Sequence, residues 1–418
     1  MYTQEEYKVA SQRTRVLHSK IYILNFAMQT IAELSGNVLD GATFTNDSQS
    51  DIRRTCNITI VPTDSSFDIA TNKSIWIDKY VKIYIGIEDI HNNNNIVYTN
   101  MGVYLVDNPS RNYDAITHTL NISGVDMMAR FTGLRNGYLE GIPYQVPQGS
   151  SIKNAMTECV KLMGIKKYNI VEPSPTPKVP NDISISVGGT VFDIMTQLRD
   201  INANYQIYFD VDGVFHYDMI PSGKNEPVLI DDKLWKNVLV SYNTSINFES
   251  VKNYIEVYGK TDDDYGVTPM GIAYDDNPES PFYYKGTAGI IRQVFTGGEY
   301  DNIQGQGKPP SDPDIGMPTW EERSKDPKWM YYDSLAQQRA NYELYLNCKL
   351  QDSVSISCIP IYFLDVNWIV EITLPIKKQD GTEEEETRLY MIKSISTTLG
   401  TDATQTISLA RYYPLYPF

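Results

Sequence analysis

Short β-branched and aromatic segments, separated by Asn, Asp, Gly and Pro, dominate residues 21–125. Segment 55–61 alternates, with Cys56, Ile58 and Ile60 on one side and Asn57 and Thr59 on the other. Such alternation is typical of a sheet with one buried face. Six such segments in succession predict a closed barrel or a sandwich. The predicted strands are 21–28, 31–42, 55–61, 80–88, 95–108 and 115–125, after a short N-terminal helix or arm within 2–18.

The length of the chain requires more than one core. At 418 residues it exceeds what a single hydrophobic core supports, so we expect two to four domains. With 41% hydrophobic and 21% charged residues, the composition argues against a disordered protein. Tyr is abundant, 31 against 12 Phe, which suits strands in general and also faces that are partly buried or contact a partner.

The hydrophobic period changes after residue 149. Residues 150–164 begin with serines, place apolar residues at helical spacing and end in Gly, which predicts an amphipathic helix. A Pro-rich linker at 172–180 separates it from a second predicted helix at 190–202. Asp212-Gly213 then predicts a hairpin turn within 206–218. This order predicts a small α+β domain at 141–235.

Strand patterns return after residue 236. Segments 354–360, 369–375, 388–397 and 404–411 are predicted strands, preceded by a helix near 330–348. Between them, 260–330 is rich in Asp, Gly and Pro and predicts an extended, partly mobile excursion. We therefore expect a mainly β chain with two tandem β-barrel domains, at 1–140 and 236–418, flanking the α+β insert.

Charge, cysteine usage and hydropathy limit the partners. The formal charge of −16 disfavours specific nucleic-acid binding, although an acidic wall would let DNA slide past. Cys56, Cys159, Cys348 and Cys358 are far apart, which predicts reduced core residues rather than zinc ligands or a disulfide scaffold. The polar start predicts no signal peptide, and no apolar run is long enough to predict a membrane span.

Candidate catalytic and ligand sites have simpler explanations. Asp210-x-Asp212-Gly213 resembles half of a calcium loop, but a hairpin turn accounts for it. His216 and Asp218 are two apart on a predicted strand and share a face whatever their role. No paired histidines, phosphate loop or G-x-S-x-G elbow occurs. We therefore predict no enzymatic activity, no cofactor and no metal.

Several segments together resemble phage tail hub proteins. Residues 35–55 carry the pattern SG…D…S…RRT, 82–86 read KIYIG and 102–106 read GVYLV, as in the first barrel of that family. Residues 253–259 resemble the N-x-x-x-V-x-G opening of its second barrel. The helix run A-x-Y-x-L at 340–344 and the later LDVN at 364–367 resemble the segments before its final strands. Related barrels occur in the spike proteins of injection machines.

The resemblance implies a structural protein of the tail. It implies a homotrimeric ring in a baseplate or tail tip, joining the tail tube to the tip around the ejection channel. The partners would be the tube or distal tail protein, the tape-measure protein and the tip or spike protein. The chain would be made in the bacterial host cytoplasm and carried in the virion tail. Two alternatives are a tail-tip peptidoglycan hydrolase, for which we expect no room because the sequence ends after the last strand, and a host-receptor or carbohydrate-binding protein.

Two groups of residues are candidates for contacts in such an assembly. Arg53 and Arg54 favour bidentate pairing with carboxylates, either of a neighbouring subunit or within the chain. The aromatic residues Trp320 and Trp329 in the excursion are costly to expose and are further interface candidates. The acidic clusters expected at hairpin tips facing the channel are Glu383, Glu384, Glu385, Glu386, Asp262, Asp263 and Asp264.

Overall fold

Strands form most of the regular structure, and one large sheet contains residues from both ends of the chain. This confirms the predicted mainly β fold with α+β elements. The computed structural model describes residues 2–35, 41–62, 67–114, 116, 118–139, 144–173, 177–223, 225–310, 317–349, 351–377, 383–400 and 402–413.

The N-terminal part begins with a capped helix. Thr3 accepts a hydrogen bond from the backbone of Glu6, whose carboxylate accepts one from the backbone of Thr3, a capping box that fixes the helix start. The strands that follow bury alternate side chains, as Ile21 and Ile23 show. The elements are α1 (Gln4–Ala10), β1 (Leu17–Leu24), β2 (Thr30–Ser35), β3 (Thr43–Asp47), β4 (Arg54–Ile60), β5 (Tyr80–Asp89), β6 (Asn95–Val106), β7 (Ser110–Tyr113) and β8 (His118–Val125).

Residues 144–219 of the insert form helices and short strands, and the domain bounds 141–235 stay a prediction. Ser151 caps its first helix and Thr190 its second, and Gly213 adopts a positive φ of 70° in the predicted hairpin turn. Buried apolar residues of both helices and of the hairpin belong to one hydrophobic core. The elements are β9 (Tyr144–Val146), α2 (Ile152–Leu162), β10 (Tyr168–Ile170), β11 (Ile183–Ile185), α3 (Val191–Asp200), β12 (Tyr205–Phe209) and β13 (Phe215–Met219), after a 3-10 helix at Met127–Arg130.

The predicted excursion contains regular structure. It contains strands β16 (Met270–Tyr274) and β17 (Arg292–Phe295), which form a small sheet with the preceding strand β15 (Tyr254–Tyr258). This sheet packs on helix α7 (Ser334–Asn347) and shares a hydrophobic core with the insert. Residues 311–316 lie outside the described part of the chain. The elements are α4 (Asp232–Val238), β14 (Leu239–Asn247), β15 (Tyr254–Tyr258), β16 (Met270–Tyr274), β17 (Arg292–Phe295), a 3-10 helix at Gly298–Asn302, α5 (Trp320–Arg323), α6 (Pro327–Tyr332) and α7 (Ser334–Asn347).

The last four strands complete the large sheet. The longest of them, β20, pairs with β21 along one edge and with both β19 and β3 along the other. The described strands therefore join the two predicted barrel regions into one sheet with the order β14-β18-β21-β20-β3-β4-β8-β6-β5-β1-β2. Each region keeps its own hydrophobic core. The elements are β18 (Gln351–Cys358), β19 (Ile369–Lys377), β20 (Glu383–Thr398) and β21 (Gln405–Arg411).

Candidate functional site

A buried polar network lies where the N-terminal sheet, the insert and the C-terminal sheet meet. At its centre, Arg54 is 3% exposed, and its Nη2 donates to both carboxylate oxygens of Asp365 at 2.6 Å. Its other terminal nitrogen donates to the carbonyl of Phe209 in the insert. Burial is the largest single effect and lowers the pKa of Arg54, but Asp365, with smaller contributions from Tyr104, Asp126 and Tyr208, outweighs it, so the pKa is raised. One guanidinium thus holds three parts of the chain together.

Arg53 extends this network along the hairpin of the insert. Its Nη2 donates to Gln206 Oε1 at 2.8 Å, and its guanidinium lies 4.2 Å from the ring centroid of Tyr208. Gln206 Oε1 also accepts from Asn367 Nδ2 at 2.7 Å, and its amide nitrogen donates to Asp218 at 2.9 Å. We name the contacts of Arg53, Arg54, Gln206, Asp218, Asp365 and Asn367 the interdomain joint.

A charged histidine supports the hairpin beside the joint. His216 Nε2 lies 3.0 Å from Asp210 Oδ2, and its Nδ1 lies 3.6 Å from Asp218 Oδ2. Burial alone would lower the pKa of His216, but the hydrogen bonds and charges of both aspartates outweigh it and raise the pKa to about 9. A histidine that is protonated at neutral pH is a poor general base. His216 instead holds Asp210 in the hairpin turn, where Asp210 Oδ1 accepts hydrogen bonds from two backbone amides.

The two arginines predicted as interface candidates are therefore engaged within the chain, which is the intrachain alternative. Among the described residues, no group of three or more His, Cys, Asp or Glu side chains is arranged to hold a metal ion. The sequence pattern did not identify Asp365 and Asn367 as partners of the arginines. Both nevertheless lie in the LDVN segment that carries the family resemblance, and that segment was the available signal.

The tryptophan candidates have different surroundings. Trp329 is 4% exposed, and its ring lies against Tyr332 and 4.1 Å from the guanidinium of Arg323. Arg323 forms a buried ion pair with Asp333 at 3.1 Å, and burial raises the pKa of Asp333 to about 6. Residues of the same chain therefore bury Trp329, the side chain that was expected to be costly to expose. Trp320, at the start of α5, is partly exposed and stays a prediction for an interface.

The acidic candidates fall on a turn and a strand. Asp262 Oδ1 accepts from the backbone amides of Asp264 and Tyr265, which shapes a turn, and the Asp263 side chain is 85% exposed. The second cluster differs from the expected hairpin tip, because residues 383–386 begin strand β20 and the preceding 378–382 lie outside the described residues. Glu384 and Glu385 are exposed, whereas Glu386 pairs with Arg388 at 2.5 Å. Their position relative to a channel stays a prediction.

Comparisons with known proteins address the fold. The profile described as "Domain of unknown function (DUF5048)" matches residues 321–416. A Shewanella oneidensis prophage MuSo2 43 kDa tail protein is 13% identical with a TM-score of 0.54, covering 94% of this chain and 98% of its own. A tail protein from Neisseria meningitidis MC58 is 10% identical with a TM-score of 0.55, covering 95% and 98%. The chain has the fold of these tail proteins. No curated protein sequence matches it.

The same fold occurs within a larger protein. A chain of the Francisella PdpA–VgrG complex is 8% identical with a TM-score of 0.52, and the match covers 97% of this chain but 59% of the other. The predicted resemblance to tail hub proteins and injection-system spike proteins is thus confirmed at the level of fold. Within the described residues, no helix is both long and apolar enough to cross a membrane.

Proposed function

We propose that this chain is a structural hub component in the baseplate or tail tip of a bacteriophage or phage-like particle. The observation that carries the proposal is the match over nearly the whole length of two tail proteins, which leaves 2% of either of them unmatched. The interdomain joint supports it, because a part that transmits force between tube and tip needs its domains fixed relative to one another.

We further propose that three copies form a ring around the ejection channel. Strands β2 and β14 end the pairing order of the described strands, so each presents an edge to a neighbour. The β14 edge carries exposed apolar side chains at Val240, which is 62% exposed, and Ile246, and Phe248 follows it with 73% exposure. Apolar edges of this kind are liabilities in a monomer and suit contacts between subunits.

The partners of such a ring would be the tube or distal tail protein, the tape-measure protein and the tip or spike protein. DNA would pass through without specific binding, because the chain carries a net charge of −16. The particle would carry the protein in its tail after synthesis in the host cytoplasm. Mass spectrometry and immunogold microscopy of purified particles test this role. We expect the particles to contain the chain and the gold label to lie at the junction of tube and tip. Gold label on the head, or particles that lack the chain, would refute the role.

The other candidate function with a structural observation in its favour is receptor binding. Tyr113 is 78% exposed and Tyr331 is 62% exposed, and exposed aromatic rings are suited to stacking on sugars. A glycan array and host-cell adsorption with the purified chain distinguish the two functions. The hub function predicts no specific glycan signal and no adsorption to host cells. A zymogram in which the purified chain clears no peptidoglycan separates the hub function from the hydrolase alternative.

A further inference from the structure

A cavity of about 510 Å³ lies between the turn after β3, the helix α7 and several strands. The turn after β3 contributes Ser48, the segment after β13 contributes Ser222, and the second half of α7 contributes Tyr342 and Tyr345. Residues of strands β17, β18, β20 and β21 and the loop residue Asn367 form the rest of the wall. Junctions between domains are common positions for binding sites. No candidate residue from the sequence pattern lines this cavity.

Two lysines line the cavity without anionic partners. The Lys349 ammonium lies 4.1 Å from the ring centroid of Tyr345 and 5.4 Å from that of Tyr413, which fixes its position. Lys393 reaches only the sulfur of Met391, at 3.3 Å. Among the residues that the structure describes, neither ammonium forms an ion pair. Burial and the charge of Lys393 lower the pKa of Lys349 to about 8, and burial lowers that of Lys393.

The acid that lines the cavity does not neutralise the two lysines. Glu343 lines the cavity, but its carboxylate accepts from Arg339 at 2.9 Å and from Tyr300 at 3.0 Å. A second unsatisfied group is Ser222, which is 1% exposed and whose Oγ has no hydrogen-bond partner among the described residues. Two desolvated cations and an unused hydroxyl in one cavity are costly unless an anion binds there.

We propose that this cavity binds a carboxylate side chain from an acidic, partly apolar segment of a second protein chain, with Lys349 and Lys393 as its cationic contacts. The lining favours such a segment over phosphate for two reasons. Phe295, Tyr342 and Tyr412 offer apolar surface for the residues beside the carboxylate. The cavity also faces the C-terminal half of α7, whose dipole is negative at that end and opposes a dianion more than a monoanion. The proposal does not depend on the ring or on the tail function.

Binding to the purified full chain tests it. The probes are the blocked peptides acetyl-Phe-Glu-Leu-amide and acetyl-Phe-Gln-Leu-amide, titrated by calorimetry, with sodium phosphate as a separate ligand. We expect the Glu peptide to bind at least about tenfold more tightly than the Gln peptide. Lys349→Met and Lys393→Met, which keep an unbranched stem, should each reduce this preference to about threefold or less. The matched control Lys325→Met, at a side chain 70% exposed, should leave it unchanged.

A second readout uses the unaltered protein and so does not depend on the variants folding. A limiting amount of acetic anhydride at about pH 8, close to the pKa of Lys349, modifies accessible amines, which peptide mass spectrometry quantifies. The Glu peptide should slow modification of Lys349 at least about threefold and leave Lys325 unaffected. Equal affinity for the two peptides, unchanged modification of Lys349, or tighter binding of phosphate than of the Glu peptide would each overturn the proposal.

Discussion

Arg54 and Asp365, 311 positions apart in the chain, form an ion pair in which one guanidinium nitrogen contacts both carboxylate oxygens at 2.6 Å. Arg54 begins β4 in the N-terminal region, whereas Asp365 precedes β19 in the C-terminal region. The pair therefore complements the backbone pairing of β3 with β20 as a side-chain link between the two ends of the chain.

Removing one partner of this pair should be costly. Asp365→Leu leaves a guanidinium that is 3% exposed without its counter-charge, so we expect a loss of about 3–5 kcal/mol in unfolding free energy. The double variant Arg54→Met with Asp365→Leu should lose clearly less than the sum of the single changes. Urea unfolding measures both. The control Glu321→Gln breaks an exposed pair and should cost at most about 1 kcal/mol; an equally small loss for Asp365→Leu would contradict the role of the joint.

The histidine in the hairpin predicts a pH dependence. Because the pKa of His216 is raised from its ordinary 6.5 to about 9, its stabilising effect is complete below the ordinary value and is lost as the pH rises through about 9. The stability advantage of the wild type over His216→Gln should therefore fall by at most about 3 kcal/mol between about pH 6 and pH 10. Thermal unfolding across this range measures it. His91→Gln, on an exposed turn, should show no comparable trend; a constant advantage for His216 would refute the assignment.

Close backbone approach makes Gly271 a sensitive position. A Cβ at this residue of β16 would lie 2.3 Å from the carbonyl oxygen of Ala336 in α7, and backbone cannot move aside as a side-chain end can. Gly271→Ala should cost about 1–3 kcal/mol by separating β16 from α7. At Gly223 the nearest atom is the end of the Glu226 side chain, 3.4 Å away, so Gly223→Ala should stay within about 0.5 kcal/mol. Equal stability of both variants would disprove this packing.

The acidic residues at the start of β20 provide a test of the channel wall. Because successive side chains of a strand point to opposite faces, one of Glu384 and Glu385 can face the channel. Changing both to Lys then places positive charge along the path of the DNA, where it binds the phosphates and slows passage. We expect normal particle assembly and slower genome release, measured by dye uptake into released DNA. The matched control Asp276→Lys with Glu279→Lys makes the same change in charge at exposed positions of a loop. Equal release rates in the two double variants would exclude Glu384 and Glu385 as channel residues.

Local patterns were sufficient for much of the secondary structure. The period of 150–164 and the serines at its start predicted α2, which Ser151 caps, and Asp212-Gly213 predicted the hairpin. Both signals depend only on neighbouring residues. Strand β4 was predicted within one residue at each end. Segment 260–330 was predicted less well. Its strand β17 pairs in parallel with β15, which precedes the segment, and no local pattern specifies this contact between residues near 254 and 292.

The candidate site depended even more on distant contacts. Arg53 and Arg54 were noted from residue type, but their partners Gln206 and Asp365 are 153 and 311 positions away. Hydrophobic alternation fixes which face of a strand is buried, and it does not specify which polar groups meet where three parts of the chain join. Local patterns do not predict the cavity lined by Lys349 and Lys393 for the same reason, since the two lysines lie on different parts of the chain.

The proposed hub function makes one prediction about symmetry that a single measurement addresses. Electron cryomicroscopy of the assembled particle, reconstructed without imposed symmetry, counts the copies of this chain around the tail axis. We expect three copies in a closed ring at the junction of tube and tip, with β2 or β14 of each copy at the contact between neighbours. One copy, six copies, or a position away from the axis would contradict it.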